Sequence, residues 1–382
     1  MKKKIVYVVG GLLTPNGMST ILSNKINYLA EHTDYELYMI LTEKAGSPWY
    51  YKINPKVKWV NFDINFDELD TMPLLKKIIR YSQKQRRYKK MFTDYLMEIR
   101  PDITVSIVRR EIDFINDIPD GSKKIGEIHF DRTFYRQFNK RYLPGFMNRA
   151  ITKVWTSKLV RNLRRLDKFV VLTHEDYDHW PELNNKVVIP NSLSFFPEQS
   201  ASLISKTVIA VGRYSWQKGF DMLIDAWQRV AVVHPDWTLN IYGAGDNAMY
   251  QKMAEDKGVG QYICCHPSAG NIYEKYQESS IFVLSSRYEG FGLVIAEAMS
   301  AGLPPVSFAC PSGPSDIITD GVDGMLVECG NVKSLAKAIN YLIENPEIRM
   351  EYGSRAKSSS QRYKIGNIMQ KWISLFGDLL EN

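Results

Sequence analysis

The chain begins a strand, a glycine-bearing loop and a helix in the same order twice, and few folds accept that pattern. KKIVYVVG (3–10) leads through GLLTPN into a helix predicted from Gly17, with Met18, Leu22, Ile26 and Leu29 at spacings of 4, 4 and 3. TVIAVG (207–212) leads through RYSWQKG into a helix from Phe220 with Met222, Leu223, Ala226 and Val230, and then into the strand WTLNIYG. Each half goes on alternating buried strands with amphipathic helices: ITVSIV and KFVVL in the first, YICC, IFVL and PPVSF in the second. Strands without period-2 polarity, separated by helices, imply parallel sheets covered on both faces. The expected class is therefore α/β: two Rossmann-like, doubly wound domains facing across a cleft, with ligands at the carboxyl ends of the strands. Polar and turn-forming residues at 191–206 set the expected boundary, giving domains 1–195 and 196–364. A last helix, 365–382, carries Ile368, Trp372, Leu375 and Leu379 and is free by sequence to pack back on the first domain.

Composition narrows the partners. No run approaches the ~20 apolar residues that span a bilayer, and the lysine-led N-terminal segment is too short and glycine-rich for a signal peptide, so a cytoplasmic protein is expected. Cys264, Cys265, Cys310 and Cys329 have neither metal-pair nor disulfide-framework spacing and read as buried reduced thiols. Residues 1–200 hold 33 Lys and Arg against 23 Asp and Glu, whereas 201–382 hold 16 against 19. The basic excess concentrates in Lys76–Lys90, with eight cations and no acid, and in Arg132–Lys168, with eleven cations and Asp167 alone. An anionic partner of the first half follows, with nucleic acid, membrane phosphates and a lipid diphosphate as candidates. In Lys76–Lys90 the stripe Leu74, Ile78, Tyr81, Gln85, Tyr88, Phe92, Tyr95 and Ile99 reads as core, and the cations as a face either solvated or attracted to anionic lipid. Phe134, Tyr135, Phe138, Tyr142, Phe146 and Trp155 interleave the second stretch and strengthen the membrane option; no RNA or DNA module accompanies them.

Two segments carry candidate chemistry. In IFVLSSRYEGFGLVIAEAMSAGLPPVSF (281–308), Glu289 and Glu297 bracket a helix predicted to start at Gly290–Gly292. Amides of Phe291, Gly292 and Leu293 would be open donors for phosphate, Glu289 would reach sugar hydroxyls, and Glu297 would accept from a ribose. The competing reading makes Glu289 a dipole-complementing acid and Glu297 a solvated helix residue. In the loop after TVIAVG, Arg213 and Lys218 either hold a diphosphate and neutralise a leaving phosphate, or are surface cations.

EGFGLVIAEAMSAGLP, VGRYSWQKGFDMLIDAW, VIPNSL and SGPSDIITDGVDGMLV, in their order and separation, resemble the retaining glycosyltransferases of family 4, most strongly over 186–330. Within that family the chain is similar to bacterial enzymes extending lipid-linked or surface oligosaccharides from UDP-sugars. The resemblance implies the GT-B architecture and a hexosyltransferase moving a hexose or N-acetylhexosamine from a UDP-sugar to a glycan or lipid-linked glycan, at the inner face of the plasma membrane. It implies that Arg213 and Lys218 bind the donor diphosphate, Glu289 the donor sugar and Glu297 the ribose. Phe291, Gly292 and Leu293 then supply backbone donors, and Asn16, Gly17 and Met18 meet the diphosphate from the first domain, with Asn16 where the family usually has glycine. His129 stands where many members place a histidine near the reacting sugar; packing alone is its other reading. Retention is expected by a front-face route, since no second pair of carboxylates suits double displacement.

Metal is not expected as a cofactor. Asp176 and Asp178 form the one rival motif, but Thr173 three residues before Asp176 reads as a helix cap, which sends the two carboxylates to nearly opposite sides. DGVDG (320–324) reads as a turn and not as a calcium loop. A sugar-nucleotide epimerase or phosphorylase, and a non-catalytic nucleotide or nucleic-acid binder, remain the rival functions.

Overall fold

A computed structural model describes residues 2–13, 17–130, 132 and 145–381, with side chains for all of these except Leu74 and 145–151. The chain divides into two units: Met1–Leu172, Asp176–Ser194 and Ile365–Asn382 form the first, Thr173–Glu175 and Phe195–Lys364 the second. Among the described residues up to 194 the order is β1 (Lys4–Val8), α1 (Gly17–His32), β2 (Glu36–Leu41), β3 (Lys58–Asn61), α2 (Leu74–Ile99), β4 (Ile103–Ser106), β5 (Lys123–Glu127), α3 (Gly145–Arg164), β6 (Lys168–Val171), α4 (His174–Asp178), whose first two residues count with the second unit, and β7 (Lys186–Val188). The second unit runs β8 (Thr207–Val211), α5 (Phe220–Val233), β9 (Thr238–Tyr242), α6 (Asn247–Asp256), β10 (Ile263–His266), α7 (Ile272–Gln277), β11 (Ile281–Leu284), α8 (Leu293–Ser300), β12 (Pro305–Phe308), α9 (Pro314–Ile317), β13 (Met325–Val327), α10 (Val332–Glu344) and α11 (Pro346–Ser360). The closing helix α12 (Ile365–Glu381) belongs to the first unit.

Both sheets are parallel, ordered β3-β2-β1-β4-β5-β6-β7 and β10-β9-β8-β11-β12-β13. Each winds outward from its first strand and then reverses, between β1 and β4 in one unit and between β8 and β11 in the other. Right-handed crossovers send the flanking helices to opposite faces at such a reversal, so the loops beyond the two strands diverge and leave a crevice. The class is two Rossmann-like α/β units. Apolar packing follows from it: Val208, Ala210, Leu239, Ile241 and Val283 share one core with apolar residues of α5 and α10, all almost fully buried. In the first unit α12 seats Ile368, Met369, Trp372 and Phe376 in the interior, and the Phe376 ring meets Tyr35 at 6.1 Å.

Three sequence expectations need correction. The apolar stripe of α2 is buried only from its middle onward: Tyr88 and Phe92 are core, but Ile78 is 57 % exposed, because a helix of 26 residues is about 39 Å long and overruns strands of four to six. Lys84 does not join the solvated face, since its ammonium donates to the carbonyls of Ile64 and Asn65 and pairs with Glu68. Among the cysteines only Cys310 is buried; Cys264 and Cys329 are exposed, Cys264 because β10 is an edge strand whose alternate residues face solvent.

Gly243 ends β9 where a Cβ would run into the carbonyl of Gly212, whereas a Cβ at Gly377 in α12 would meet nothing within 4 Å. Chemical denaturation should therefore show Gly243→Ala losing on the order of 2 kcal/mol or more and Gly377→Ala gaining about 0.5–1 kcal/mol.

Candidate active site

The reversal between β8 and β11 collects the second unit's candidate residues. Beyond β8 the chain passes the exposed Arg213, then a single 3-10 turn, Trp216–Lys218, closed by Gly219 in the left-handed region (φ 62°). Only glycine fits there: a Cβ would strike the carbonyl of Ser285 beyond β11. The Lys218 stem lies along Gly212, and its ammonium reaches Glu289 Oε1 at 2.6 Å. Glu289 is 6 % exposed; Ser286 Oγ donates to the same carboxylate oxygen at 2.6 Å, and its own amide donates to Pro311 at 3.0 Å. Glu289 is thus a buried, ion-paired carboxylate in the loop and not part of a first helical turn.

Cross-links between the two loops fix that geometry. Arg287 forms a bidentate pair with Asp221 at the start of α5 (2.9 and 2.6 Å) and donates to the Trp216 carbonyl at 2.6 Å. The Ser285 hydroxyl donates to the Lys218 carbonyl at 3.0 Å. Neither Ser286 nor the Arg287–Asp221 pair was singled out from sequence. The signal for Ser286 is its place three residues before Glu289; the Arg287–Asp221 pairing spans 66 residues and left none.

Helix α8 begins at Leu293, later than the sequence placed it, because Gly292 turns the chain with φ 88°. No side chain caps this end, and among the described residues the amides of Phe291, Gly292 and Leu293 have no acceptor. They form the positive end of the helix, suited to an anion. Glu297 lies in the second turn with Tyr276 Oη 3.3 Å away. Part of the residue is open, yet its carboxyl is withdrawn from water, and that desolvation raises its pKa to about 7 against the pull of Tyr276 and the Lys218 charge. Lys218, Glu289 and Glu297 thus share one polar environment.

The first unit holds the remaining candidates. Asn16 lies outside the described residues; Gly17 and Met18 open α1, exposed and half-exposed respectively. His129 follows β5 with its side chain 4 % exposed, Nε2 3.4 Å from Glu127 Oε1, and neither ring nitrogen hydrogen-bonded. Burial, with the Lys25 and Arg109 charges, lowers its pKa to about 4 despite Glu127. Glu127 pairs with the buried Lys25 at 2.5 Å, and the Trp372 ring of α12 covers that ammonium at 3.7 Å. Of the basic stretch 132–168, residues 133–144 lie outside the described residues. Among its described residues three cations form ion pairs, Arg132 with Glu182 (2.7 Å), Lys158 with Asp113 (3.0 Å) and Arg165 with Asp117 (2.8 Å), and Arg164 donates to the Glu182 carbonyl (3.3 Å).

The two rival motifs take structural parts. Asp176 is buried and accepts from the Trp180 indole at 3.2 Å, while Asp178 is exposed. Asp320 and Asp323 accept the amides of Leu326 and Thr319, closing the turn.

Residues 195–359 match the family model described as "Glycosyl transferases group 1". That match takes in nearly the whole of the second unit. An uncharacterized glycosyltransferase of Haemophilus influenzae is 33 % identical to the chain over 227 residues, 56 % of this chain and 64 % of that relative, so the match spans less than two thirds of the relative's length. A Campylobacter jejuni α-1,4-N-acetyl-D-galactosaminyltransferase, named for a diNAcBac-PP-undecaprenol-linked GalNAc acceptor, is 24 % identical over 98 % of this chain and 99 % of its own. The fold of S. aureus TarM, solved with fondaparinux, α-GlcNAc-glycerol and UDP, superposes with a TM-score of 0.76 over 98 % of this chain and 99 % of that one, at 17 % identity. That likeness assigns the GT-B class of fold.

The two shifted groups make opposite demands on pH. Folded Glu297 keeps a proton that the unfolded chain releases above its ordinary 4.5, so its contribution is present below 4.5 and lost as pH rises through 7. Folded His129 refuses a proton that the unfolded chain takes up below 6.5, so its contribution is lost as pH falls toward 4. Each spans up to roughly 3 kcal/mol. Urea unfolding across pH should show Glu297→Gln gaining on the wild type above neutrality and His129→Asn losing less than the wild type in acid; parallel curves would contradict the burial of these groups.

Proposed function

We propose that the chain is a retaining hexosyltransferase that moves a hexose or N-acetylhexosamine from a UDP-sugar to a lipid-linked or surface oligosaccharide, without a metal. The observation that carries the reading is the Lys218–Glu289 pair beside the open amides of Phe291, Gly292 and Leu293, at the reversal of a unit that matches the glycosyl transferases group 1 model. An ammonium and a helix N-terminus in one partly dry site supply what a departing UDP needs, a fixed positive potential that requires no reorganisation as charge develops. Arg213, exposed just beyond β8, adds a further cation. Glu289, fixed by Ser286 and Lys218, accepts from a sugar hydroxyl; Glu297 accepts from the ribose. The acceptor oxygen bonds the anomeric carbon on the face from which the bond to UDP breaks, and the departing phosphate takes the acceptor's proton, so configuration is retained. His129, neutral at physiological pH, offers its ring as a hydrogen-bonding partner of the reacting sugar. The UDP in the TarM complex and the lipid-diphosphate acceptor named for the Campylobacter relative support the donor and acceptor classes.

Lys218→Ala and Glu289→Gln should each lower turnover of UDP-sugar by about 100-fold or more. EDTA should leave it unchanged. Near-wild-type turnover in both variants sinks the site assignment, and loss restored by Mn²⁺ sinks the metal-free route. Proton NMR of the first-formed product reads the retained anomer, and thermal protection by UDP-, GDP- and ADP-sugars ranks the donor base.

The same reading places the acceptor at an anionic membrane, with no nucleic acid involved. No helix among the described residues is long and apolar enough to cross a membrane. The overrunning end of α2, however, exposes Leu75 (79 %), Ile78 (57 %) and Ile79 (60 %) among Lys76, Lys77 and Arg80. Apolar side chains ringed by cations suit the interface of anionic lipid, at ~1 kcal/mol per cation. Replacing Leu75, Ile78 and Ile79 by Ser, or Lys76, Lys77 and Arg80 by Gln, should reduce sedimentation with phosphatidylglycerol vesicles and raise KM for a lipid-linked acceptor more than for UDP-sugar. Unchanged vesicle binding in both sets removes the membrane role of α2.

A further inference from the structure

The first sheet reverses as the second does, and the crevice beyond β1 and β4 is built from different chemistry. It forms a narrow recess of about 10 Å³ lined by Gly10 beyond β1, Thr42 beyond β2, and Ile107, Arg109 and Arg110 beyond β4. That is room for about one water molecule, so a ligand would meet the two guanidinium groups at the mouth of the recess and not within it.

The loop carrying the two arginines is held from beneath. The carboxylate of buried Glu111 accepts from Ser106 Oγ (2.6 Å), the Arg109 amide (3.1 Å) and Tyr88 Oη (3.4 Å), and folds the chain back on itself. Val108, a β-branched residue, is thereby forced to φ 53°, strain of the sort that structures retain at working sites. Arg110 is laid over the Phe66 ring, 4.1 Å from its centre, and the Arg109 guanidinium lies where a Cβ on Gly10 would be 3.5 Å from Nη1.

Neither guanidinium makes a hydrogen bond or ion pair among the described residues, although both residues are half-buried and their like charges act on each other. The adjacent carboxylates Glu43 and Asp67 attract the Arg110 charge without a hydrogen bond to it. Glu111 is committed as described; Glu43 takes the Thr42 hydroxyl and the Phe66 amide, and burial, reinforced by the Asp67 charge, raises its pKa. What the two guanidinium groups lack is a hydrogen-bond acceptor, and a group with several acceptor oxygens is what two such forks bind best.

We propose that Arg109 and Arg110 bind an anionic group, phosphate or carboxylate, of the acceptor at the reversal of the first sheet. The acceptor assignment rests on the transfer reading above; the anion site rests on this geometry alone.

Calorimetric titration of inorganic phosphate into the full chain, saturated with UDP to fill the donor site, tests it. Saturable binding is expected, weakened about tenfold or more by Arg109→Gln and by Arg110→Met, which keeps the stem over Phe66, with melting temperatures unchanged. Acetate separates carboxylate from phosphate recognition, and phosphatidylglycerol vesicles separate a lipid headgroup from a free phosphate. No saturable phosphate binding by the wild type, or equal affinity in folded Arg109→Gln and Arg110→Met, overturns the site. Thermal protection by UDP reports the donor reading separately: its failure with the arginine dependence intact strikes the transfer function and leaves the anion site standing.

Discussion

A lysine ammonium and a glutamate carboxylate 2.6 Å apart, both largely out of water, organise the second unit's reversal. Withdrawing two such charges costs several kcal/mol each, and a well-packed apolar pair would serve stability as well or better. The pair persists because it is fastened on both sides: Gly219 lets the turn carrying Lys218 close on Ser285, and Ser286 and the Pro311 carbonyl hold Glu289. Arg287 and Asp221 tie the same two loops together. A site assembled this way presents its charges already oriented, so a ligand meets a fixed potential.

The two units share a winding rule and differ in what they place at its turning point. In one, cation and anion neutralise each other beside a bare helix end; in the other, two arginines stand without a hydrogen-bond acceptor above a strained loop, and a buried Lys25–Glu127 pair lies beside His129. Parallel strands reversing direction of winding provide the location, and the loops alone decide the chemistry.

Much of this was legible in the sequence, for reasons that local physics supplies. Strands, helices and the two reversals follow from hydrophobic runs and their periods, and Arg213, Lys218, Glu289 and Glu297 stand out because charged residues just beyond buried strands have few places to go. Contacts far apart in sequence were not legible. Lys84 looks like its exposed neighbours until the loop at Ile64 and Asn65 folds beneath it, and Ile78 looks like core until the helix outruns its sheet. The Lys25–Glu127 pairing spans 102 residues and depends on a third element, α12, for its cover. Glu297 shows the same limit in another form: its spacing marked it, but only its burial in the folded unit, opposed by the Tyr276 hydroxyl, sets its protonation.

The membership of α12 in the first unit has a consequence for the order of events during synthesis. A ribosome delivers residues 1–194 and then the whole of 195–364 before Trp372 emerges to cover Lys25. Until then the nascent first unit has an open apolar face with a lysine–glutamate pair at its floor, while the second unit has every residue it needs. The unit translated first is therefore the one completed last, and the interval is a period in which its unfinished face is available to chaperones or to misassociation.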